Sequence, residues 1–153
     1  MNFYIDDGMI NTSTVVLNKD NSFKTINGDS WDFQISIEPY TIMLLNFNYN
    51  LKECVGVEGY LNLSKIKNKS LNLIVLNKGI LKVDNFSVDK GAFGTNYRLN
   101  PLKRYYDKEA EMLAIGDIED GNKVFEFGEG QFVKLKEGQI IGLFVKFSFR
   151  GSI

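Results

Sequence analysis

The chain has 153 residues, of which 44% are hydrophobic and 24% are charged, and its formal net charge is -1. This balance is typical of a single globular domain over residues 1–153 and excludes a disordered or fibrous chain. It also argues against nucleic-acid binding, which normally requires a clear excess of Lys and Arg.

The first residues, from Met1 to Gly8, have no basic opening and carry acids where a signal peptide would be apolar. We therefore expect synthesis in the cytoplasm without a signal peptide, with later release from the cell left open. The longest apolar run, from Ile140 to Val145, is far shorter than the ~20 residues of a membrane-spanning helix. We expect no transmembrane segment.

Alternating apolar and polar residues predict strands over much of the chain. From Trp31 to Ile37 every second residue is apolar, which indicates a strand with one core face and one solvent face. The same alternation runs from Met43 to Leu51, and another apolar series runs from Val55 to Leu63. Cys54 is the single cysteine, so no intrachain disulfide forms, and its apolar neighbours indicate a buried, unreactive thiol.

One region near the middle of the chain carries the strongest strand signal. Two apolar stretches, Leu71 to Leu76 and Ile80 to Asp84, are separated by Asn77-Lys78-Gly79. This predicts a β-hairpin, because glycine supplies the positive φ of a tight turn. The first stretch is apolar on both faces, so we expect it to be covered on both sides or to lie centrally. Beyond Asp84 the alternation of apolar and polar residues shifts by one position, which predicts a β-bulge at Asp84 or Asn85.

The sequence predicts one short helix. Asn100-Pro101 is a helix-start signal, since Asn accepts bonds from the first amides and Pro is preset for the first helical position. Apolar residues then recur at helical spacing: Leu102, Tyr105, Tyr106, Ala110 and Leu113. The end of the helix stays open, because residues 110–118 fit a helix and a strand equally well.

The regular spacing of short strands and turns favours a mainly β fold, either an antiparallel β-sandwich or a flattened barrel with one short helix. The last strand is predicted to be long, with apolar residues on one face: Ile141, Leu143, Val145, Phe147 and Phe149.

The chain has no histidine, which removes the common serine, cysteine and zinc catalytic arrangements. Carboxylate pairs suited to glycoside chemistry are the remaining alternative, but most of the nineteen acids fall at predicted turns. We therefore expect a non-enzymatic protein with no catalytic residue, no metal and no cofactor.

Two basic clusters are the candidate binding residues. Lys65, Lys67 and Lys69 occupy every second position of a predicted loop, so an extended backbone would point all three toward one anionic head group. The second cluster combines charge with amphipathic rings, which suits a membrane surface, a phosphate or a protein partner: Lys103, Arg104, Tyr105 and Tyr106. The alternative for both clusters is that the rings pack and the charges point to water.

The run from Val57 to Ile66, followed by the alternating strand from Leu71 to Leu76, resembles the small OrfX proteins encoded beside clostridial botulinum neurotoxin genes. The resemblance implies a β-rich, non-enzymatic accessory protein that assembles with a larger OrfX partner and binds phosphoinositides. It transfers no functional residue by position. The strand rhythm also resembles β-sandwich domains of phage tail tips and carbohydrate-binding modules, and this is the alternative function.

Aromatic residues are plentiful, with twelve Phe and seven Tyr. We expect them to exceed what one core hides and to leave an exposed apolar patch for a larger protein partner, with anionic lipid as a second ligand.

Overall fold

The structure is a computed structural model, and it describes residues 1–10, 12–26, 30–38, 43–48, 50, 52–62, 65–84, 94–119 and 121–149. The fold is mainly β, as predicted. The described residues form fifteen strands: β1 Asn2–Asp6, β2 Val15–Leu17, β3 Ser22–Thr25, β4 Phe33–Glu38, β5 Met43–Phe47, β6 Cys54–Tyr60, β7 Lys67–Asn68, β8 Leu73–Lys78, β9 Ile80–Asp84, β10 Gly94–Arg98, β11 Lys103–Asp107, β12 Met112–Gly116, β13 Asn122–Gly128, β14 Gln131–Lys136 and β15 Gln139–Phe149. Among the described residues, no helix is long and apolar enough to span a bilayer.

Thirteen of the strands belong to one curled sheet, and β1 and β9 form a separate antiparallel pair. The main order is β10-β4-β5-β6-β3-β2-β15-β12-β11-β7, with β14, β13 and β8 branching from β15. Antiparallel pairs predominate, as predicted. Parallel pairs also occur, between β10 and β4, β11 and β7, β13 and β8, and β15 and β2. A curled mixed sheet of this kind is consistent with the expected flattened barrel.

With this branch, seven of the strands form one continuous series of neighbours. β7 pairs with β11, β11 with β12, β12 with β15, β15 with β14, β14 with β13, and β13 with β8. The two ends of this series, β7 and β8, are consecutive strands joined by only a few residues, so one stretch of chain provides both ends. A small hydrophobic cluster lies on these strands and on the connection between β12 and β13: Met112, Ala114, Ile118, Val124, Phe132 and Phe144.

The large core lies on the other face of the sheet and beneath the β1–β9 pair. In β4, Ile35 and Ile37 are buried while Gln34 lies on the opposite face, so the predicted alternation is confirmed. Phe33 stacks on Phe47 of β5 with ring centroids 5.4 Å apart. The predicted long C-terminal strand is also confirmed, and β15 spans eleven residues.

The predicted hairpin in the middle of the chain is wrong. β8 and β9 follow each other directly, but β8 pairs with β13 and β9 pairs with β1. Gly79 lies between them, outside the positive-φ region, and its N–H donates to Glu126 O at 3.0 Å. A Cβ on Gly79 would lie 2.6 Å from Asp6 O, so this glycine is required for close approach and not for a turn.

Two further expectations for this region also change. β8 is neither central nor covered on both sides, because its residues are largely exposed. The register between β8 and β13 shifts by one residue within β8, where Val75 pairs with Val124 and Asn77 with Phe125, leaving Leu76 without a position in the register. The bulge that we predicted at Asp84 or Asn85 does not occur at Asp84, which pairs with Asn2 without a shift in register, and Asn85 falls outside the described residues.

The predicted helix after Asn100 is wrong as well. Lys103–Asp107 and Met112–Gly116 are the antiparallel strands β11 and β12, so the open question over residues 110–118 is answered by a strand. Tyr106 and Leu113 pack in the large core, whereas Tyr105 and Met112 pack in the small cluster. Strands covered on both faces lose the alternation that distinguishes them from helices, which is why period alone failed here.

Candidate functional site

Residues 65–78, called here the basic segment, contain β7 and β8. They include four lysines and no Asp or Glu, in a chain whose net charge is -1. Positive charge is therefore concentrated on one stretch that also contains the two end strands of this series, β7 and β8. This stretch contains Lys65, Lys67 and Lys69.

The fold brings the two predicted basic clusters together. β7 runs parallel to β11, with Lys67 opposite Tyr105. The Lys69 N–H donates to Tyr106 O at 3.1 Å, and its Nζ lies 4.9 Å from the centroid of the Tyr105 ring. Clusters that are more than thirty residues apart in sequence thus share one surface region.

The members of the second cluster face different ways, because adjacent residues of a strand point to opposite faces. Lys103 and Arg104 are both exposed. Tyr105 is half-buried under Lys69. Tyr106 is 9% exposed and stacks on Phe147 with centroids 6.4 Å apart, and burial raises the pKa of its phenol. Tyr106 therefore lies beneath the surface.

Lys65 and Arg104 meet at a cavity of about 270 Å³. The cavity is also lined by Tyr60, by Asn62 and by apolar side chains of the large core and its margin: Leu61, Ile66 and Leu113. Lys65 lies in a turn and not in an extended strand, so it departs from the common direction predicted for the three lysines. Two exposed cations over an apolar floor suit an anion that carries an apolar group.

Asp107 holds the basic segment in place. Its Oδ2 accepts a hydrogen bond from the Leu71 N–H at 2.9 Å, and its Oδ1 accepts from the N–H groups of Glu109 and Ala110, both at 3.1 Å. These hydrogen bonds, led by that of Leu71, lower the pKa of the Asp107 carboxyl. Sequence reasoning missed this residue, because an Asp at a strand end looks like any turn acid.

The β8 edge, Leu73–Lys78, exposes three consecutive large apolar residues. Ile74 is 48% exposed, Val75 is 44% exposed and Leu76 is 52% exposed. Within the part of the chain that the structure describes, β8 pairs with β13 alone, so its other side is a free strand edge. At the end of β8 the Lys78 N–H already donates to Asn77 Oδ1 at 2.9 Å, so this amide is not available to an added strand.

The exposed patch differs in composition from the one expected. We predicted that surplus aromatic residues would form it, but the consecutive exposed residues are aliphatic. The largest side chains buried in the core include the aromatic residues Phe3, Phe23, Phe33, Phe47 and Phe144.

A second cavity, of about 380 Å³, is lined in part by Glu126 and Glu129. The Glu126 carboxylate is already engaged, since Oε1 lies 3.3 Å from Lys78 Nζ and Oε2 accepts from the Gly130 N–H at 3.2 Å. This carboxylate therefore holds β13 against β8 and the β13–β14 turn. Among the described residues, no three carboxylates or thiols come together as a metal site.

Cys54 is buried in β6, as its neighbours indicated. Burial raises the pKa of its thiol to about 12, so the thiol stays protonated and unreactive at neutral pH.

Comparison with known proteins finds no family model that matches this chain and no curated protein that matches it. The resemblance to OrfX proteins stays a prediction.

Proposed function

We propose that this protein is a non-enzymatic binding protein that assembles with a larger protein partner by accepting an extended segment of that partner at the β8 edge. The observation that carries the proposal is the exposure of Ile74, Val75 and Leu76 on a strand with one free side. Runs of three exposed apolar residues are rare unless they serve a function.

A free strand edge is chemically suited to this role. Every second residue of a strand directs its N–H and C=O toward one side, so β8 offers unpaired backbone groups on the side away from β13. An added strand would bond to these groups and cover the adjacent side chains. Burying the exposed half of each of the three apolar side chains contributes roughly 1 kcal/mol apiece.

Site-specific photo-crosslinking in cells of the native source tests the proposal. A photoreactive amino acid replaces Leu76 in one variant and Met9 in a control variant, because Met9 is apolar and 92% exposed but lies outside β8. We expect a discrete crosslinked protein at position 76 and not at position 9. The captured protein is then purified, and the combination of Ile74→Asn with Leu76→Asn should weaken its binding at least tenfold, because it removes two exposed apolar side chains that an added strand would cover. Equal capture at both positions would contradict the proposal.

A second candidate function is binding of anionic lipid, supported by the cavity that Lys65 and Arg104 share. Lys67, Lys69 and Lys103 add positive charge nearby, and each basic residue close to an anionic membrane surface contributes about 1 kcal/mol. The apolar floor of the cavity suits the acyl part of a phosphoinositide.

Liposome flotation at low and high salt tests the lipid candidate. We expect the wild type to float with phosphoinositide vesicles at low salt, and a variant with Lys65, Lys67 and Lys69 changed to Gln to lose flotation. The matched control changes the exposed Lys19, Lys24 and Lys136 to Gln. The three substitutions in the basic segment should lower the free energy of unfolding by no more than about 1 kcal/mol, because Lys65 and Lys67 are exposed and Lys69 loses its contact with the Tyr105 ring. Flotation that does not depend on the basic segment would exclude this function.

A further inference from the structure

We infer that the segment accepted by the β8 edge alternates apolar and acidic residues. This inference rests on the proposed function and specifies the chemistry of the partner. It follows from the charges that surround the edge and from the placement of the apolar side chains on it.

The β8 edge is flanked by lysines. In the basic segment Lys65, Lys67 and Lys69 precede β8, and Lys78 at its end is ion-paired with Glu126, while on β13 the exposed Lys123 lies directly opposite Ile74. Lys108 lies close to the start of the segment, because its N–H donates to Asn68 Oδ1 at 3.1 Å.

Two of the neighbouring acids are already engaged within the fold. Glu126 forms an ion pair with Lys78, and the buried Asp107 accepts backbone hydrogen bonds. A partner segment that carries carboxylates would therefore find cations that these two acids do not neutralise.

A second copy of the chain fits this edge poorly. Pairing two β8 edges would bring two basic segments and two copies of the exposed Lys123 to one surface, where like charges repel each other. Lysines beside an edge strand are one of the devices by which proteins prevent pairing with themselves. The same lysines attract a strand of opposite charge.

A membrane also fits the edge poorly. Ile74 and Val75 are adjacent in β8, so their side chains leave opposite faces of the strand. Insertion of β8 into lipid would leave the backbone groups of the free edge without partners, at a cost of several kcal/mol each. A strand satisfies these groups and covers both apolar faces together.

The geometry sets the length and pattern of the segment. β8 has six residues, which span about 20 Å, so six to eight partner residues cover it. Period two places the partner's side chains alternately on the two faces of the added strand. We expect apolar residues on the face that Val75 shares with Val124, and acidic residues on the face that Ile74 shares with Lys123.

Fluorescence anisotropy with synthetic peptides tests this inference. The probes are an eight-residue peptide that alternates Val and Glu, a matched peptide that alternates Val and Lys, and a Val-Glu peptide with alternate amides N-methylated to block strand pairing. At low salt we expect the Val-Glu peptide to bind at least tenfold more tightly than either of the others. The preference over Val-Lys should shrink at high salt, because exposed charges are screened.

Protein variants locate the effect. Lys67→Glu combined with Lys123→Glu should reduce Val-Glu binding at least tenfold and improve Val-Lys binding. The control combination, Lys19→Glu with Lys136→Glu, has the same charge change at exposed lysines outside the basic segment and should leave both affinities within twofold. Circular dichroism of each variant checks that the fold is kept.

The outcomes separate this inference from the proposed function. Equal binding of the Val-Glu and Val-Lys peptides, with both lost in the variant that combines Ile74→Asn and Leu76→Asn, would overturn the charge preference and leave strand addition standing. Absence of binding by both peptides would also overturn the inference, while crosslinking at position 76 decides the proposed function independently. A dimer in sedimentation equilibrium that Ile74→Lys dissociates would identify a second copy as the occupant and would overturn the inference too.

Discussion

β12 and β8 are both short strands with consecutive apolar residues, yet the fold treats them in opposite ways. β12 lies between β11 and β15, and all five of its residues are buried. β8 has a neighbour on one side only, among the described residues, and five of its six residues are exposed. An apolar run therefore identifies a strand, but the number of neighbouring strands decides whether that strand belongs to the core or to the surface.

The same substitution in both strands should have very different effects. Ile115 of β12 is fully buried and Ile74 of β8 is 48% exposed. Ile115→Ala should lower the free energy of unfolding by about 2 to 5 kcal/mol, because it leaves a cavity in the core. Ile74→Ala should lower it by less than about 1 kcal/mol. Urea denaturation of the two variants measures the difference, and equal losses would mean that β8 is packed as tightly as β12.

Gly79 marks the point where the exposed strand joins the interior. Gly79→Ala places a Cβ against Asp6 O and Ile5 Cγ2, so backbone must move, and we expect a loss of about 1 to 3 kcal/mol. Gly8→Ala is the matched control, since its Cβ would meet the flexible end of the Ile80 side chain. Thermal unfolding compares the two variants. A Gly8→Ala loss as large as that of Gly79→Ala would argue against a special close approach at Gly79.

Asp107 links the end of β11 to the segment that leads into β8, and its contribution to the free energy of unfolding should depend on pH. The folded state lowers the pKa of its carboxyl, so the stabilisation is present above the unfolded pKa of about 3.9 and is lost as the pH falls through the folded value. Asp107→Asn should therefore destabilise by about 1 to 3 kcal/mol at pH 7 and by progressively less below pH ~4. Urea titrations across this range measure it, with the exposed Asp7→Asn as control. A pH-independent loss would show that the charge is not what matters.

Local sequence patterns predicted which side chains of a strand point inward better than they predicted which strands pair with each other. The alternation in β4 identified its buried residues correctly, because period two reports which side chains point inward. The hairpin prediction failed because a glycine between two strands fits a turn and a close backbone approach equally well. Gly79 serves the second purpose, and only the position of Asp6 reveals it.

The candidate site was predictable in part. The two basic clusters were visible as charge and spacing, but their meeting depends on the parallel pairing of β7 with β11, which connects distant parts of the chain. Tyr105 and Tyr106 looked equivalent in sequence, yet one contacts Lys69 and the other stacks in the core. The exposure of β8 was unpredictable for the same reason, since it depends on which strands lie beside it.

Amide hydrogen exchange distinguishes β12 from β8 without any substitution. The amides of β12 bond to β11 or β15, so we expect all of them to exchange only through large unfolding events. In β8 the amides directed toward β13 should be protected, whereas the alternate amides of Leu73–Asn77 on the free side should exchange almost as fast as in an unstructured peptide. Amide-resolved exchange measured by NMR would reveal this alternating pattern.

Addition of the Val-Glu peptide should then slow the fast-exchanging amides selectively, because an added strand accepts their hydrogen bonds. Uniform protection of β8 in the isolated protein would mean that another part of the chain already covers the edge, and strand addition by a partner would then be excluded.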